Sequence, residues 1–249
     1  MKRNETASFR ARRRARLQLS HALRVPIYGR VRRRIARVTR NAELAVVVHV
    51  YYPDMWPQLR DHLQRMTQPH DLFVTVPSRA VANVIQPSHA RAVEVVPNVG
   101  RDVLPFLQVG RVLRGLGYSS VLKIHTKRND RDSGSSHWRD STLSMLLAES
   151  EIEGVSRLLQ LPDTGLIGVG DFYYSATTTE PDVLRYMSEI ISALRPRSNG
   201  MERLAGVGFF AGTMFWARMD AISDLLDIDP RVFPREMGRV DGTPAHALE

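Results

Sequence analysis

From Leu44 onward, the apolar and polar positions of this chain switch repeatedly between two periods. Leu44–Val50 is a continuous, largely β-branched run, as a strand buried on both faces requires. Met55–Met66 has helical spacing, Leu72–Val76 and Ala92–Val96 read as short strands, and Val103–Leu116 reads as a helix ended by Gly115 and Gly117. Ser120–His125 predicts a fourth strand. Leu143–Leu161 reads as largely helical, closed by Pro162. Leu166–Val169 and Gly208–Ala217 add two strands, separated by a helix around Asp182–Leu194. Strands alternating with helices predict βαβ units, hence an α/β fold with a mostly parallel sheet flanked by helices.

The pattern before residue 44 is different. Residues 1–40 carry 14 of the 35 Lys and Arg residues and one acid, Glu5, so a tail of +13 precedes a body of −4. We therefore divide the chain into a basic tail, 1–43, and a domain, 44–249. The pI of 10.4 describes the tail and is no ground for expecting a nucleic-acid partner. Residues 1–16 are too charged to order themselves. Beyond them Ile27, Val31, Ile35 and Val38 would form one apolar helical stripe, with Arg30, Arg33, Arg37 and Arg40 turned away. Such a helix suits an anionic membrane surface, or a stripe docked on the domain or a partner. The absence of cysteine excludes disulfides, thiolate metal sites and a Cys nucleophile. No apolar run reaches the ~18–20 residues that span a bilayer, and no apolar h-region follows the basic start. The expectation is a cytoplasmic protein, peripheral on the inner face of the cell membrane.

Four segments carry candidate chemistry. In Pro97-Asn98-Val99-Gly100-Arg101-Asp102 a strand runs through a turn into a helix, the place where open α/β sheets bind ligands. Gly100 admits close approach, the helix N-terminus offers N–H groups to an anion, and Arg101 is a bidentate phosphate donor. Asn98 and Asp102 would contact ligand, or merely satisfy the turn and cap the helix. In Lys123-Ile124-His125-Thr126-Lys127, alternation puts Lys123, His125 and Lys127 on one face. They would meet a diphosphate, or pair with acids such as Asp102 and Asp241. Trp138 and Arg139 offer an aromatic face for sugar and a guanidinium for phosphate; Trp138 would serve equally as a core anchor. Gly212 and Thr213, inside the aromatic strand Phe209–Trp216, suggest a wall approached by sugar or acceptor. Asp241, before Gly242 and the helix start at Thr243-Pro244, would be a general base or a carboxylate favoured by the helix dipole. His246 lies on that last helix, which is either short or cut before its natural end. Asp130-Arg131-Asp132 and Asp227-Ile228-Asp229 spell the metal-holding Asp-x-Asp pattern, but off any strand terminus, and we read them as decoys.

In this order, Tyr52-Pro53-Asp54, Pro97–Asp102, Lys123–Lys127, Trp138-Arg139, Ala211–Trp216 and Val240–Glu249 resemble the rhamnan synthesis F family over essentially all of 44–249. The resemblance implies a GT-A-like fold and a glycosyltransferase of bacterial cell-surface polysaccharide assembly. It implies transfer of a sugar, rhamnose from dTDP-rhamnose being the natural candidate, to a lipid-linked or growing glycan. Where GT-A enzymes end the fourth strand in Asp-x-Asp with a metal, this chain has His125-Thr126-Lys127. Metal-independent transfer with no cofactor is therefore expected, with Asp241 as base and Arg101, Lys123 and Lys127 on the diphosphate. Two alternatives stand beside this. One is a non-catalytic nucleotide-sugar- or glycan-binding subunit; the other is a recruiter acting through its basic tail.

Overall fold

The computed structural model describes residues 34–85, 89–128, 135–194, 204, 206–228 and 247, with backbone alone at 135–138 and 193–194. Its strands are β1 Leu44–His49, β2 His70–Val76, β3 Ala90–Val95, β4 Ser120–His125, β5 Leu166–Ile167, β6 Tyr173–Ser175, β7 Gly208–Phe210 and β8 Phe215–Arg218. Its α-helices are α1 Trp56–Gln64, α2 Arg79–Val84, α3 Val103–Gly115, α4 Ser135–Leu146, α5 Glu149–Leu158, α6 Pro181–Leu194 and α7 Ser223–Leu226.

Six strands form one sheet in the order β3-β2-β1-β4-β8-β5, and β6 pairs with β7 in a separate ribbon. The pairs β1–β2, β1–β4 and β2–β3 are parallel, while β8 runs antiparallel to both of its neighbours. The mixed α/β architecture with a mostly parallel, helix-flanked sheet is as the periodicity predicts. The chain steps outward from β1 through β2 to β3, then crosses back to place β4 on the other side of β1. The strand order therefore reverses between β1 and β4, where α/β sheets open a crevice at their carboxyl ends.

Alternating residues feed two cores. Ala45, Val47, Phe73 and Val121 face α3 and α7; Leu44, Val46, Val48, Leu122 and Ile124 face α1, α4 and α5. Being covered on both sides, β1 is buried at all six positions, which is why its sequence lacks a polar alternation. α3 approaches α7 closely: a Cβ on Gly110 would lie 2.7 Å from Leu226 Cδ2. Arg111 and Arg114 secure the contact by donating to the carbonyls of Leu226 and Ser223 at 2.7 and 2.9 Å. Arg114 also holds Asp227 at 2.7 Å, so one Asp-x-Asp carboxylate serves the α3–α7 contact.

Two details differ from the sequence expectation, and a third meets one of its alternatives, the stripe docked on the domain. Gly208–Ala217 is two strands in different sheets, because Gly212 and Thr213 take positive φ values of 83° and 50° and turn the chain. Leu143–Leu161 is broken at Ala148, which is extended; Glu149 and Glu151 then favour a new helix N-terminus. The packed unit also reaches back before Leu44. Ile35 is 1% exposed within the α3-side core, and Val38 packs against it. Those two stripe residues dock on the domain, whereas Ile27 and Val31 lie outside the described residues.

The amino edge of the sheet is fastened by one buried carboxylate. Asp71 accepts from the Asn41 and Ala42 amides at 2.7 and 3.2 Å and from the Tyr118 hydroxyl at 2.7 Å, with Arg91 at 3.4 Å. Burial and that hydrogen bond push the Tyr118 phenol upward. Among the described residues, no helix is long and apolar enough to cross a membrane.

Candidate functional site

A row of polar side chains crosses the sheet at the carboxyl edge, on the α3 side. Strand register places Glu94, Thr75, His49 and His125 side by side on β3, β2, β1 and β4. All four are at most 5% exposed. Burying such groups is costly unless they are paired, and the pairing defines the site. His49 Nδ1 lies 2.9 Å from Thr75 Oγ1, while Thr75 reaches the Val48 carbonyl at 3.4 Å. If the hydroxyl donates to that carbonyl, His49 Nδ1 carries the proton. Burial pushes Glu94 up, opposed by Arg34.

Below the His125 end of the row lies an ion pair. Lys123 is one alternation back on β4, and its Nζ donates to Asp102 Oδ2 at 2.5 Å and to the Thr213 carbonyl at 2.7 Å. Thr213 Oγ1 donates to the same Asp102 oxygen at 3.2 Å, and His125 Nδ1 stands 3.4 Å from it. That last approach is misaligned: the buried Nδ1 has no formed hydrogen bond. Phe106 and Phe215 flank the ammonium, each ring centroid 5.7 Å away.

Asp102 occupies the N-cap position of α3, yet its side chain makes no cap hydrogen bond. The carboxylate instead turns to Lys123 and Thr213. Burial opposes its ionisation, but the charge and hydrogen bond of the facing Lys123 outweigh burial and hold the carboxyl below its ordinary range, with His125 adding attraction only when protonated. Burial is also the main influence on both histidines. It takes His49 down to about 4 and His125 down to about 3, despite the opposing attraction of Asp102. Both imidazoles are therefore neutral at pH 7, and Lys123 is the cation that keeps Asp102 ionised there.

Two strained turns bracket this cluster. Gly100 and Arg101 have φ values of 65° and 52°, and Gly212 and Thr213 repeat the pattern. A side chain in this left-handed region costs about 1–2 kcal/mol, and such strain gathers at functional sites. The first turn delivers Asp102 and the second delivers Thr213, so both converge on Lys123.

Further contacts tie together the loops at this edge of the sheet. The Thr126 amide donates to the His49 carbonyl at 3.0 Å, and its hydroxyl accepts from the Tyr51 and Tyr52 amides at 2.9 and 3.0 Å. The loop after β1 is thereby stapled to the end of β4. Arg128 pairs with Asp54 and lies 4.8 Å from the Tyr52 ring centroid. Arg139 pairs with Asp140 at 2.8 Å and reaches the Lys127 carbonyl at 3.4 Å.

The structure thus brings together Gly100, Arg101, Asp102, Lys123, His125, Gly212 and Thr213. Asn98 is exposed on the turn, and Lys127 and Arg139 are half-buried at the rim. Lys123 is 2% exposed and directed at Asp102, one of the acids expected as its partner. The Trp138 side chain, Asp241, His246 and the Asp130-x-Asp132 motif lie outside the described residues. Sequence reading missed His49, Thr75 and Thr126. The available signal was a polar residue at the carboxyl end of each otherwise apolar central strand. Among the described residues, no group of three His, Cys, Asp or Glu side chains has metal-holding geometry.

Comparison with known proteins agrees in direction. The family described as rhamnan synthesis protein F matches residues 16–249. Relatives named "Uncharacterized protein WxcX", from two strains of Xanthomonas campestris pv. campestris, are 30% identical over 214 residues, 82% of this chain. The match covers 30% of the length of those relatives. No solved structure matches.

Proposed function

The chain belongs to the rhamnan synthesis protein F family, and from that premise we propose that it is a glycosyltransferase of cell-surface polysaccharide synthesis. The proposed reaction moves a sugar from a nucleotide donor, dTDP-rhamnose being the candidate, to a lipid-linked or growing glycan. One observation supports this above the others. A buried His, Asp and Lys cluster sits between two strained turns at the strand-order reversal of an α/β sheet. A binding subunit would need the crevice, but not neutral imidazoles beside an ionised carboxylate inside it.

In this reading the donor diphosphate lies over the Gly100-Arg101 turn and the N-terminus of α3, where N–H groups favour an anion. Arg101, Lys127 and Arg139 supply positive charge at the rim, and no divalent cation is required. Lys123 acts from beneath by fixing Asp102. The domain works at the inner face of the cell membrane, with the basic tail against anionic lipid.

The test is a thermal-shift panel of nucleotide sugars in buffer containing EDTA. A dTDP-deoxysugar at ~100 times its Kd adds about 2.7 kcal/mol to wild-type stability. Arg101→Gly relieves the backbone strain at φ 52° while removing the guanidinium. It is expected to keep or raise basal stability and to lose at least tenfold in donor affinity. Stabilisation that appears only after Mg²⁺ is restored contradicts the metal-independent reading. No response to any nucleotide sugar contradicts the donor site itself.

A further inference from the structure

Resting on the transferase reading, we propose that His125 is the general base of the reaction and that Asp102 is its positioning residue. The base abstracts the acceptor's proton through Nε2. Among the described residues, His125 is the side chain at the carboxyl edge whose ring nitrogen faces a carboxylate, with Asp102 Oδ2 3.4 Å from Nδ1. His49, its neighbour in register, has Nδ1 on the neutral Thr75 hydroxyl. It lacks a counter-ion in contact to stabilise an imidazolium.

The 3.4 Å separation and the unsatisfied Nδ1 mark a bond poised to form. Catalytic hydrogen bonds are often long in the unliganded state and tighten around substrate. Asp102 cannot swing away to make that adjustment unnecessary. Lys123 from β4 and Thr213 from the second turn both hold Oδ2, the same carboxylate oxygen that faces His125. With the Nδ1 proton directed at Asp102, the lone pair resides on Nε2. No side chain or backbone group among the described residues hydrogen-bonds that nitrogen. His125 ends β4 beside the strand-order reversal, the place where open α/β sheets bind ligands, and the proposal seats the acceptor hydroxyl there against this ring.

The step balances. The acceptor hydroxyl gives its proton to His125 Nε2, and its oxygen forms a bond to the anomeric carbon. The bond from that carbon to the diphosphate oxygen breaks, and the electron pair leaves with the nucleoside diphosphate. Asp102 stabilises the imidazolium until the proton passes to solvent. Burial keeps the resting ring neutral but lowers its basicity, and the facing Asp102 carboxylate opposes that lowering.

Two measurements decide it. In wild-type protein labelled with ¹⁵N-histidine, long-range ¹H–¹⁵N spectra are expected to show His125 protonated at Nδ1 and bare at Nε2. The opposite tautomer overturns the proposal whatever the donor. In the second, His125→Gln is compared with wild type using dTDP-rhamnose, UDP-glucose and GDP-mannose. Transfer is expected to fall by about 10²–10⁴-fold with nucleotide-sugar binding within twofold. Added imidazole is expected to restore turnover in His125→Gly, a response that a structural defect would not give. Undiminished transfer in His125→Gln, or collapse in Asp241→Asn alone, overturns the base assignment and leaves the transferase reading standing. Absence of both binding and transfer in wild type overturns the two together.

Discussion

Lys123→Met is expected to cost about 3–5 kcal/mol of folding stability, because it leaves the Asp102 carboxylate buried without its cation. Methionine matches the length of the lysine stem and can lie between Phe106 and Phe215, so packing changes little. The loss is electrostatic: Asp102 keeps only the Thr213 hydroxyl and a misaligned His125, and the Thr213 carbonyl loses its donor. A urea titration should show the midpoint falling with the slope unchanged. Adding Asp102→Leu removes the stranded charge and should recover a large part of the loss, since apolar replacements of buried pairs are often neutral. A single-variant loss below about 1 kcal/mol would mean that water reaches the pair and that the cluster is not closed as described.

Acid is the second strong perturbation, and its sign follows from the buried histidines. An unfolded histidine takes up a proton near pH 6.5, whereas burial holds His49 down to about 4 and His125 down to about 3. Between those values the unfolded chain binds more protons than the folded one, so stability falls as pH falls through 6.5 toward 4. Asp102, held below the ordinary carboxylate range, remains ionised and does not offset this loss. From pH 7 to pH 5 each histidine contributes a loss of about 2 kcal/mol. Urea midpoints at the two pH values measure the sum, and His49→Gln should remove about half of it. A pH-independent midpoint over this interval would show that both imidazoles are solvated in the folded state.

The legibility of this protein in its sequence divides along physical lines. The central strand β1 was readable because burial on both faces demands an uninterrupted apolar run, and Leu44–His49 is buried throughout. The same rule concealed His49, since one polar residue at the end of such a run does not disturb its pattern. Asp102 illustrates a different limit. Its place before a helix predicts either a cap or a ligand, and sequence cannot choose; the structure directs it to Lys123, 21 positions away. Thr213 sits in an aromatic stretch that reads as one strand. Only the paired positive φ values at Gly212 and Thr213 show a turn that delivers a hydroxyl and a carbonyl to the same ion pair. Non-local partners, rather than periodicity, decide these roles.

In the proposed reaction the donor sugar nucleotide lies over the carboxyl ends of β1 and β4. Titrating dTDP-rhamnose into ¹⁵N-histidine-labelled protein tests that location directly. Saturable shifts of the His49 and His125 resonances are expected, with His62 on α1 and His70 at the amino edge of β2 unmoved. Saturable binding that leaves His49 and His125 in place while His62 or His70 moves would contradict it.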